Sequence, residues 1–421
     1  MERRTFLASM LAAAGLAVAG DAAAAAAAVR IALVLPLTGA DAARGRMVRH
    51  GALLALDEIN ARAGRNGPVI VALVEDTRSD PKAFMGALRR LAGHEKVASV
   101  FGLCPHPVRG DLPLALEKLD GLFWDPAPTP GGVCSKHIIH GGTTPYQSLK
   151  HLVPWAVGQV GGRMLLVGGD EPHPRELMRV CREVLVRVGG EAVEREIAVP
   201  AGGGDFTEVI KRVKAGGVDA VFSALEGDRA VTLLRQVKAA GIDPRAVPIV
   251  SPTLTEMEVA AAGPGVAAGH VAAQPWFSSW VSPASWRFMD RMRRRHGGSV
   301  RPSALAEAAW TQMHLFAAAL GNLAGGDIHP VNIREAAKER AVDAPQGRVR
   351  VDGGSLHATA WPKIAVVEPA GRFRILARAA REVPPLPFWA YPHRACTDAG
   401  LRHFRKESSA SRRKARHGKS E

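Results

Sequence analysis

The sequence has few aromatic residues and few cysteines. Aromatic side chains make up 5% of its 421 residues, and only 2 of them are tyrosines. A four-ligand structural zinc site usually depends on Cys-x-x-Cys pairs. The cysteines form no such pair, which argues against a site of this kind. They stand far apart, at Cys104, Cys134, Cys181 and Cys396.

Signatures of several enzyme classes are also missing. There is no Gly-x-Ser-x-Gly nucleophile motif, no phosphate-binding loop and no His-Glu-x-x-His zinc motif. Gly168 and Gly169 follow a predicted strand and precede a predicted helix, but they lack the spacing of a dinucleotide site. We therefore expect no cofactor and no metal ion.

Beyond the N-terminus, no hydrophobic run is long enough to cross a bilayer, which takes about 20 residues. The N-terminus has a charged start with Arg3-Arg4, an apolar middle from Leu7 to Ala19 and a small-residue end. This layout is typical of a removable export signal, which we assign to residues 1–28. The arginine pair followed by Phe6-Leu7 resembles a twin-arginine signal. A single membrane anchor is the alternative interpretation.

Acidic residues are in the minority, with 40 Asp and Glu against 55 Lys and Arg and a formal net charge of +15. Most of the basic residues are scattered, as on a solvated surface. Dense basic runs occur only at Arg291–Arg295 and near the C-terminus. We predict that residues 398–421 form a basic, disordered tail, and we expect no nucleic-acid partner.

The length and the apolar pattern predict an α/β protein. A domain typically has about 100–200 residues, so the chain predicts two or three folding units. Short apolar runs alternate with helical patterns twice, from Val29 to Trp124 and again from Gly162 to Val250. This alternation indicates two doubly wound parallel sheets, one in each of two lobes. The remaining chain predicts long helices at Pro283–His296 and Ala304–Leu323, then short closing antiparallel strands.

Ligands of doubly wound sheets bind beyond the carboxyl ends of the strands. Two facing lobes would place these ends on the two sides of one cleft. The loops that follow the predicted strands are therefore the candidate binding segments: residues 36–46, 103–109, 124–132, 169–175 and 225–228.

Six segments carry a resemblance to a known family: Gly51–Asn60, Gly141–Gln147, Ser251–Glu258, Pro275–Ser279, Ala306–Trp310 and Asp343–Gly347. Their order and spacing resemble those of type I periplasmic solute-binding proteins of the branched-chain amino acid, urea and amide group. Within this group, the sequence is most similar to the urea-transporter binding protein and the amide-sensing regulator of the amidase operon. The resemblance extends from about Val29 to Phe388.

The resemblance implies two lobes joined by a hinge of three crossings, which close on a ligand. The first lobe would comprise residues 29–145 and 276–345, and the second lobe residues 146–275 and 346–390. It also implies a periplasmic location and, as partner, the membrane permease of an ABC-type transporter. The ligand would be a small polar molecule: an amide, urea, an amino acid or a cationic solute.

The resemblance also implies which positions bind the ligand. In the first lobe, the family commonly has a small hydroxyl residue where this chain has His106. Amide and urea binders have an aromatic residue and a threonine where this chain has Asp125 and Ala127. The fold of the pocket is thus expected to be retained, but with a different lining.

In the second lobe, Glu171 and His173 occupy positions that are aromatic in amide and urea binders. Glu226 follows the predicted strand at Val218, in a loop near which amino acid binders have an acidic residue that can hold the ligand ammonium group, so the resemblance makes Glu226 a candidate for that role. Such an acid-rich pocket favours a cationic or hydrogen-bond-donating ligand, unless Arg109 and Arg175 neutralise the carboxylates. The histidines and carboxylates could ligate a transition metal, but no metal-ligand spacing supports this.

Cys104 and Cys134 fall in adjacent loops of the predicted first lobe. Because exported proteins reach an oxidising compartment, these two residues are candidates for a disulfide. Two free, buried thiols are the alternative.

Three functions follow from these observations. The first is an exported binding protein that captures a small molecule and passes it to a permease, without chemistry. The second is a periplasmic sensor subunit for amide-like ligands. The third is a hydrolase that uses the acidic cleft. This hypothesis has less support, because no set of nucleophile and base is recognisable in the sequence.

Overall fold

The computed structural model describes residues 28–63, 69–132, 135–193, 196–323 and 326–387. The predicted tail at 398–421 and, apart from Ala28, the predicted export signal at 1–28 lie outside these ranges. No helix in the described ranges combines the length and apolar character needed to span a membrane.

The strands are β1 Val29–Leu35, β2 Ile70–Asp76, β3 Ser99–Gly102, β4 Phe123–Asp125, β5 Ile138–His140, β6 Arg163–Gly169, β7 Glu191–Ala192, β8 Ile197–Val199, β9 Ala220–Ala224, β10 Ile249–Ser251, β11 Val271–Gln274, β12 Ala341–Ala344, β13 Gly347–Arg350, β14 Lys363–Val367 and β15 Phe373–Arg378. The α-helices are α1 Ala42–Ala63, α2 Pro81–Leu88, α3 Leu112–Leu119, α4 Pro145–Gln159, α5 Pro172–Arg187, α6 Thr207–Lys214, α7 Gly227–Ala239, α8 Glu256–Ala262, α9 Pro264–Ala267, α10 Pro283–His296, α11 Ala304–Asn322 and α12 Pro330–Ala337.

The first lobe is built on a five-stranded parallel sheet in the order β2-β1-β3-β4-β5. Successive side chains of β1 point to opposite faces, as strand geometry requires. Leu33 packs towards α1 and α11, whereas Ala32 and Val34 pack towards α2 and α3. Both faces are therefore buried, which explains why β1 is a continuous apolar run and not an alternating one.

The second lobe is built on a larger sheet in the order β15-β14-β11-β10-β9-β6-β7, with β8 also paired to β6. Its strands from β6 to β11 are parallel. The sheet is closed by β14, which pairs antiparallel with β11, and by β15, which pairs antiparallel with β14. Along β6, Leu165 and Val167 pack on one face and Met164 and Leu166 on the other. The predicted two-lobed α/β architecture is confirmed.

The three crossings between the lobes lie between β5 and α4, between β11 and α10, and between β13 and β14. The third one differs from the expected boundary at residue 346. Val349, Val351 and Leu356 are buried in the core of the first lobe, so this crossing comes later. The reason is the β12–β13 hairpin, which keeps this segment against α11 and α12.

A buried polar network joins the second and third crossings. The Lys363 ammonium donates hydrogen bonds to the carbonyl oxygens of Pro275, Trp361 and Gln346, at 2.7, 2.9 and 3.0 Å. The Gln346 amide in turn donates to Glu307 at 2.9 Å. Burial lowers the pKa of Lys363 to about 7 and raises the pKa of Glu307 to about 7. The network fixes the path of the chain at the hinge.

One element bound differs from the sequence prediction. Helix α1 begins at Ala42, inside the segment expected to be a loop up to Arg46. The earlier start of α1 matters for the site, because it places Arg44 in the first turn of that helix.

Candidate functional site

A cleft of about 630 Å³ of empty space, including its opening to solvent, lies between the two lobes. Proline, glycine, alanine and other apolar residues form most of its wall. The lining residues are Arg44, Pro126, Pro128, Gly141, Gly142, Thr143, Glu226, Gly227, Pro252, Thr253, Thr255, Met257, Glu258, Gln274, Pro275, Ala304, Leu305 and Ala308.

An ion pair crosses this cleft. Arg44 of the first lobe lies 3.2 Å from a Glu226 carboxylate oxygen of the second lobe. The other Glu226 oxygen lies 2.8 Å from His173 Nδ1. Burial opposes the charge of Glu226, but Arg44 and His173 outweigh it and hold the pKa of this carboxyl well below its usual range. Glu226 is therefore ionised and already has partners on both sides.

The strand order explains why these groups meet. Arg44 follows β1, where the order of the first sheet reverses between β1 and β3. His173 and Glu226 follow β6 and β9, which flank the corresponding reversal in the second sheet. Such switch points leave a crevice at the carboxyl ends of the strands. The two crevices face each other across the cleft.

His106 lies close to the same charged group. It begins a 3-10 turn after β3 and is exposed. Partial removal from water and the positive charges of Arg109 and Arg44 lower the pKa of His106, whereas Glu226 acts in the opposite direction. Three of the predicted site residues, His106, His173 and Glu226, are thus brought together.

Asp125 and Ala127 are placed differently. Asp125 is 1% exposed and forms a salt bridge with Arg109 at 2.9 Å. Its second oxygen accepts a hydrogen bond from the backbone N–H of Ala127 at 3.0 Å. Ala127 is itself buried in the first core, and the neighbouring Pro126 and Pro128 line the cleft. The carboxylate of Asp125 therefore points into the lobe.

Glu171 is also paired within its own lobe. It lies 2.6 Å from Arg229, whose guanidinium also donates to the carbonyl oxygen of Val199 at 3.1 Å. Glu171 is not among the residues that line the cleft. The partner is Arg229 and not Arg175, the residue that sequence reasoning named.

The N-termini of three long helices reach the cleft lining: Thr143 precedes α4, Gly227 opens α7 and Ala304 opens α11. The Ser303 hydroxyl at the start of α11 is fully buried and has no hydrogen-bond partner in the described structure. Helix N-termini carry partial positive charge. Together with Arg44, they favour negative charge in the cleft.

Sequence reasoning missed Arg44, Thr253 and Glu258. Arg44 lies in residues 36–46, one of the candidate binding segments, so its position after β1 could have identified it as a residue of the site. Glu258 caps α8 by accepting a hydrogen bond from the Thr255 backbone N–H at 3.0 Å, and burial raises its pKa. No local pattern distinguishes this capping glutamate from a binding residue.

The described residues bear on two further predictions, which concern metal binding and a disulfide. Among these, no group of three or more His, Cys, Asp or Glu side chains is arranged to hold a metal ion. Cys104 is a buried thiol, and burial raises its pKa to about 12. Its predicted partner Cys134 lies outside the described residues, so the disulfide stays a prediction.

Comparison with known families adds to this geometry. The model of the periplasmic binding protein domain matches residues 29–394. The chain belongs to this family. A Leu/Ile/Val-binding protein homolog of Brucella abortus (strain 2308) is 24% identical over 412 residues, spanning 92% of this chain and 95% of the relative. The predicted likeness to the branched-chain amino acid group is confirmed, and the narrower one to urea and amide binders stays a prediction.

Solved structures of similar fold also come from binding proteins. A solute-binding protein of an ABC transporter from Rhodopseudomonas palustris BisB5, in complex with 3,4-dihydroxybenzoic acid, aligns with a TM-score of 0.74 at 20% identity. The alignment covers 85% of this chain and 99% of the Rhodopseudomonas chain. A branched-chain amino acid transporter substrate-binding protein from Streptococcus pneumoniae, in complex with isoleucine, aligns with a TM-score of 0.70, also at 20% identity. The alignment covers 85% of this chain and 100% of the Streptococcus chain. These likenesses support the two-lobed fold.

Proposed function

We propose that this protein captures a small carboxylate with an apolar body between its lobes and delivers it to the permease of an ABC-type transporter. The observation that carries the proposal is the placement of Arg44 and three helix N-termini in a cleft whose wall is mostly apolar. An apolar wall with a few placed polar groups is the usual composition of a small-molecule site.

The charge balance favours an anionic group on the ligand. Asp125 and Glu171, whose carboxylates suggested a cationic ligand, are paired with Arg109 and Arg229 away from the cleft. Arg44 lines the cleft, and its guanidinium has N–H groups beyond the one that contacts Glu226, which can form a charge-assisted hydrogen bond with a ligand carboxylate. The N-termini of α4, α7 and α11 add to the same field.

The ligands of the structural neighbours support the same class. 3,4-Dihydroxybenzoic acid and isoleucine both combine a carboxylate with an apolar body. Isoleucine also carries an ammonium group, which would share the Glu226 carboxylate with Arg44 and His173. Both an apolar amino acid and an aromatic acid therefore fall within the proposed class.

Transport further requires export and a partner. The family is one of periplasmic binding proteins, and the N-terminal pattern at residues 1–28 is that of an export signal. We propose that the mature protein acts outside the cytoplasm and docks on a permease when its lobes have closed.

A calorimetric panel tests the ligand class. The purified protein is titrated with L-isoleucine, 3,4-dihydroxybenzoate, acetamide, urea and putrescine. We expect binding heat from at least one of the two carboxylates and none from urea, acetamide or the diamine. Binding of putrescine or of the amides without either carboxylate would contradict the proposal.

The variant Arg44→Met tests the proposed anion contact. A hydrogen bond to a charged group contributes about 1.5–3 kcal/mol, so its loss weakens carboxylate binding by roughly ten- to hundredfold. Arg49→Met is the matched control, because Arg49 is exposed on the same helix and does not line the cleft. Equal affinities of the two variants would exclude Arg44 as the carboxylate contact.

A further inference from the structure

A second groove lies at the hinge and shares no lining residue with the interlobe cleft. It holds about 1220 Å³ of empty space, including space open to solvent. Its walls come from the second crossing and the start of α10, from the β12–β13 hairpin, and from the ends of β14 and β15. We call it the hinge groove.

The hinge groove is rich in positive charge. Arg287, Arg348 and Arg378 line it, against a single carboxylate from Asp343. Asp343 lies 3.4 Å from Arg348, and both side chains are mostly exposed. Arg287 and Arg378 have no carboxylate partner in the described part of the chain. Two guanidinium groups are therefore available to an anion.

Two indole rings stand beside these cations. The Trp280 ring has the Lys363 ammonium 4.7 Å from its centroid and the Arg378 guanidinium at 5.6 Å. Trp361 donates a hydrogen bond from its indole N–H to the Arg348 carbonyl oxygen at 2.7 Å. Both rings are half-buried, so each still offers surface to the groove.

The floor of the groove is fixed before any ligand arrives. Lys363 is held by the carbonyl oxygens of Pro275, Gln346 and Trp361. Gly347 has a φ of 139°, and a Cβ atom there would come within 2.8 Å of the Trp361 ring. Glycine at this position thus allows the indole to lie directly against the backbone. A pre-positioned ring lowers the entropy cost of binding a planar ligand.

We propose that the hinge groove is a second ligand site, which binds a planar organic anion. Its guanidinium groups would pair with a carboxylate or phosphate, and its indoles would stack on the ring of the ligand. This proposal is independent of what the interlobe cleft binds.

Occupancy of the groove would affect closure of the lobes. Trp280 belongs to the second crossing and Trp361 to the third, so a ligand that contacts both has a different affinity for open and closed arrangements. A ligand shifts a conformational equilibrium by its difference in affinity for the two states. The hinge groove would therefore couple a second anion to solute capture.

The test uses 2-naphthoate and adenosine 5′-monophosphate as a planar carboxylate and a planar phosphate. Each is titrated into the full-length protein, with calorimetry and tryptophan fluorescence as readouts. We expect at least one probe to bind, with a change in fluorescence. The double variant Arg287→Ala/Arg378→Ala should weaken that binding roughly tenfold or more, because both charge-assisted contacts are lost. Trp361→Leu should weaken it through loss of stacking.

The matched control is Arg245→Ala/Arg294→Ala, which removes the same charge from exposed sites outside the groove. This control should keep the wild-type affinity for both probes. Arg44→Met should keep it for adenosine 5′-monophosphate, whereas 2-naphthoate also belongs to the class proposed for the interlobe cleft, so only the 2-naphthoate binding that remains in Arg44→Met counts for the groove. The proposal is overturned if neither probe binds, or if the groove and control variants bind equally well. It is also overturned if Arg44→Met abolishes the binding of every probe that the wild type binds, because the probes would then occupy only the interlobe cleft.

Discussion

His140 and His357 stack inside the first lobe with their ring centroids 4.2 Å apart. Neither nitrogen of His140 has a hydrogen-bond partner in the described structure, whereas His357 Nδ1 lies 2.8 Å from the Ser355 carbonyl oxygen. Burial lowers the pKa of His357 from 6.5 to about 4, and it lowers the pKa of His140 well below 6.5. The folded protein therefore keeps both rings neutral over a range where the unfolded chain takes up protons.

This pair makes stability depend on pH. As the pH falls from 6.5 towards 4, only the unfolded state binds these protons, so the free energy of unfolding decreases. For His357 alone, the decrease between pH 6.5 and pH 5 is about 2 kcal/mol. Substituting His140→Phe removes one titrating ring and no hydrogen bond. We expect urea unfolding to show a smaller loss of stability from pH 7 to pH 5 than in the wild type.

His94→Phe is the control for this prediction, because His94 is exposed. It should show the wild-type dependence on pH. An equal acid-induced loss in the two variants would contradict the role assigned to the buried pair.

Single residues also show where sequence reasoning stops. The loops after the predicted strands could be identified, and His106 and His173 do lie near Glu226, which lines the cleft. The direction in which each side chain points could not be predicted, because it depends on partners that are distant in sequence. Asp125 turns inward to Arg109, 16 residues away, and Glu171 pairs with Arg229, 58 residues away.

At the scale of elements, the closest helix packing in the first lobe joins α1 and α11. A Cβ atom on Gly51 of α1 would come within 2.0 Å of the Ala306 carbonyl oxygen. The variant Gly51→Ala is therefore expected to destabilise the fold by roughly 1–3 kcal/mol through overpacking, although alanine favours helix. Chemical denaturation measures this change.

Gly86→Ala is the matched control, because Gly86 lies within α2 and nothing stands within 4 Å of its added Cβ. There, the helix propensity of alanine should raise stability by up to about 1 kcal/mol. Stabilisation by both substitutions would contradict the packing described for α1 and α11.

Elements with strong patterns were predictable, and those set by tertiary pairing were not. The parallel strands and long helices follow from apolar runs and helical periodicity. In the β12–β13 hairpin, the second strand, Gly347–Arg350, falls among the expected closing antiparallel strands, but the first, Ala341–Ala344, has no apolar run that predicts it. Their place in the first lobe depends on contacts with α11 and α12, which local sequence does not reveal.

At the scale of the whole molecule, the lobes are joined by three crossings and by the Arg44–Glu226 ion pair across the cleft. The two-lobed plan was predictable from the order of six weak segments over most of the chain. The charge of the cleft was not predictable from the sequence, because it depends on which carboxylates are paired with arginine side chains. The proposed function requires that a ligand in the cleft bring the lobes together.

Small-angle X-ray scattering tests this requirement most directly. The protein is measured alone and then saturated with whichever carboxylate of the calorimetric panel binds. A binding protein whose lobes close on the ligand should have a smaller radius of gyration in the complex than alone. Urea at the same concentration should leave the radius of gyration unchanged. A bound carboxylate that leaves the scattering curve unchanged would contradict capture by lobe closure.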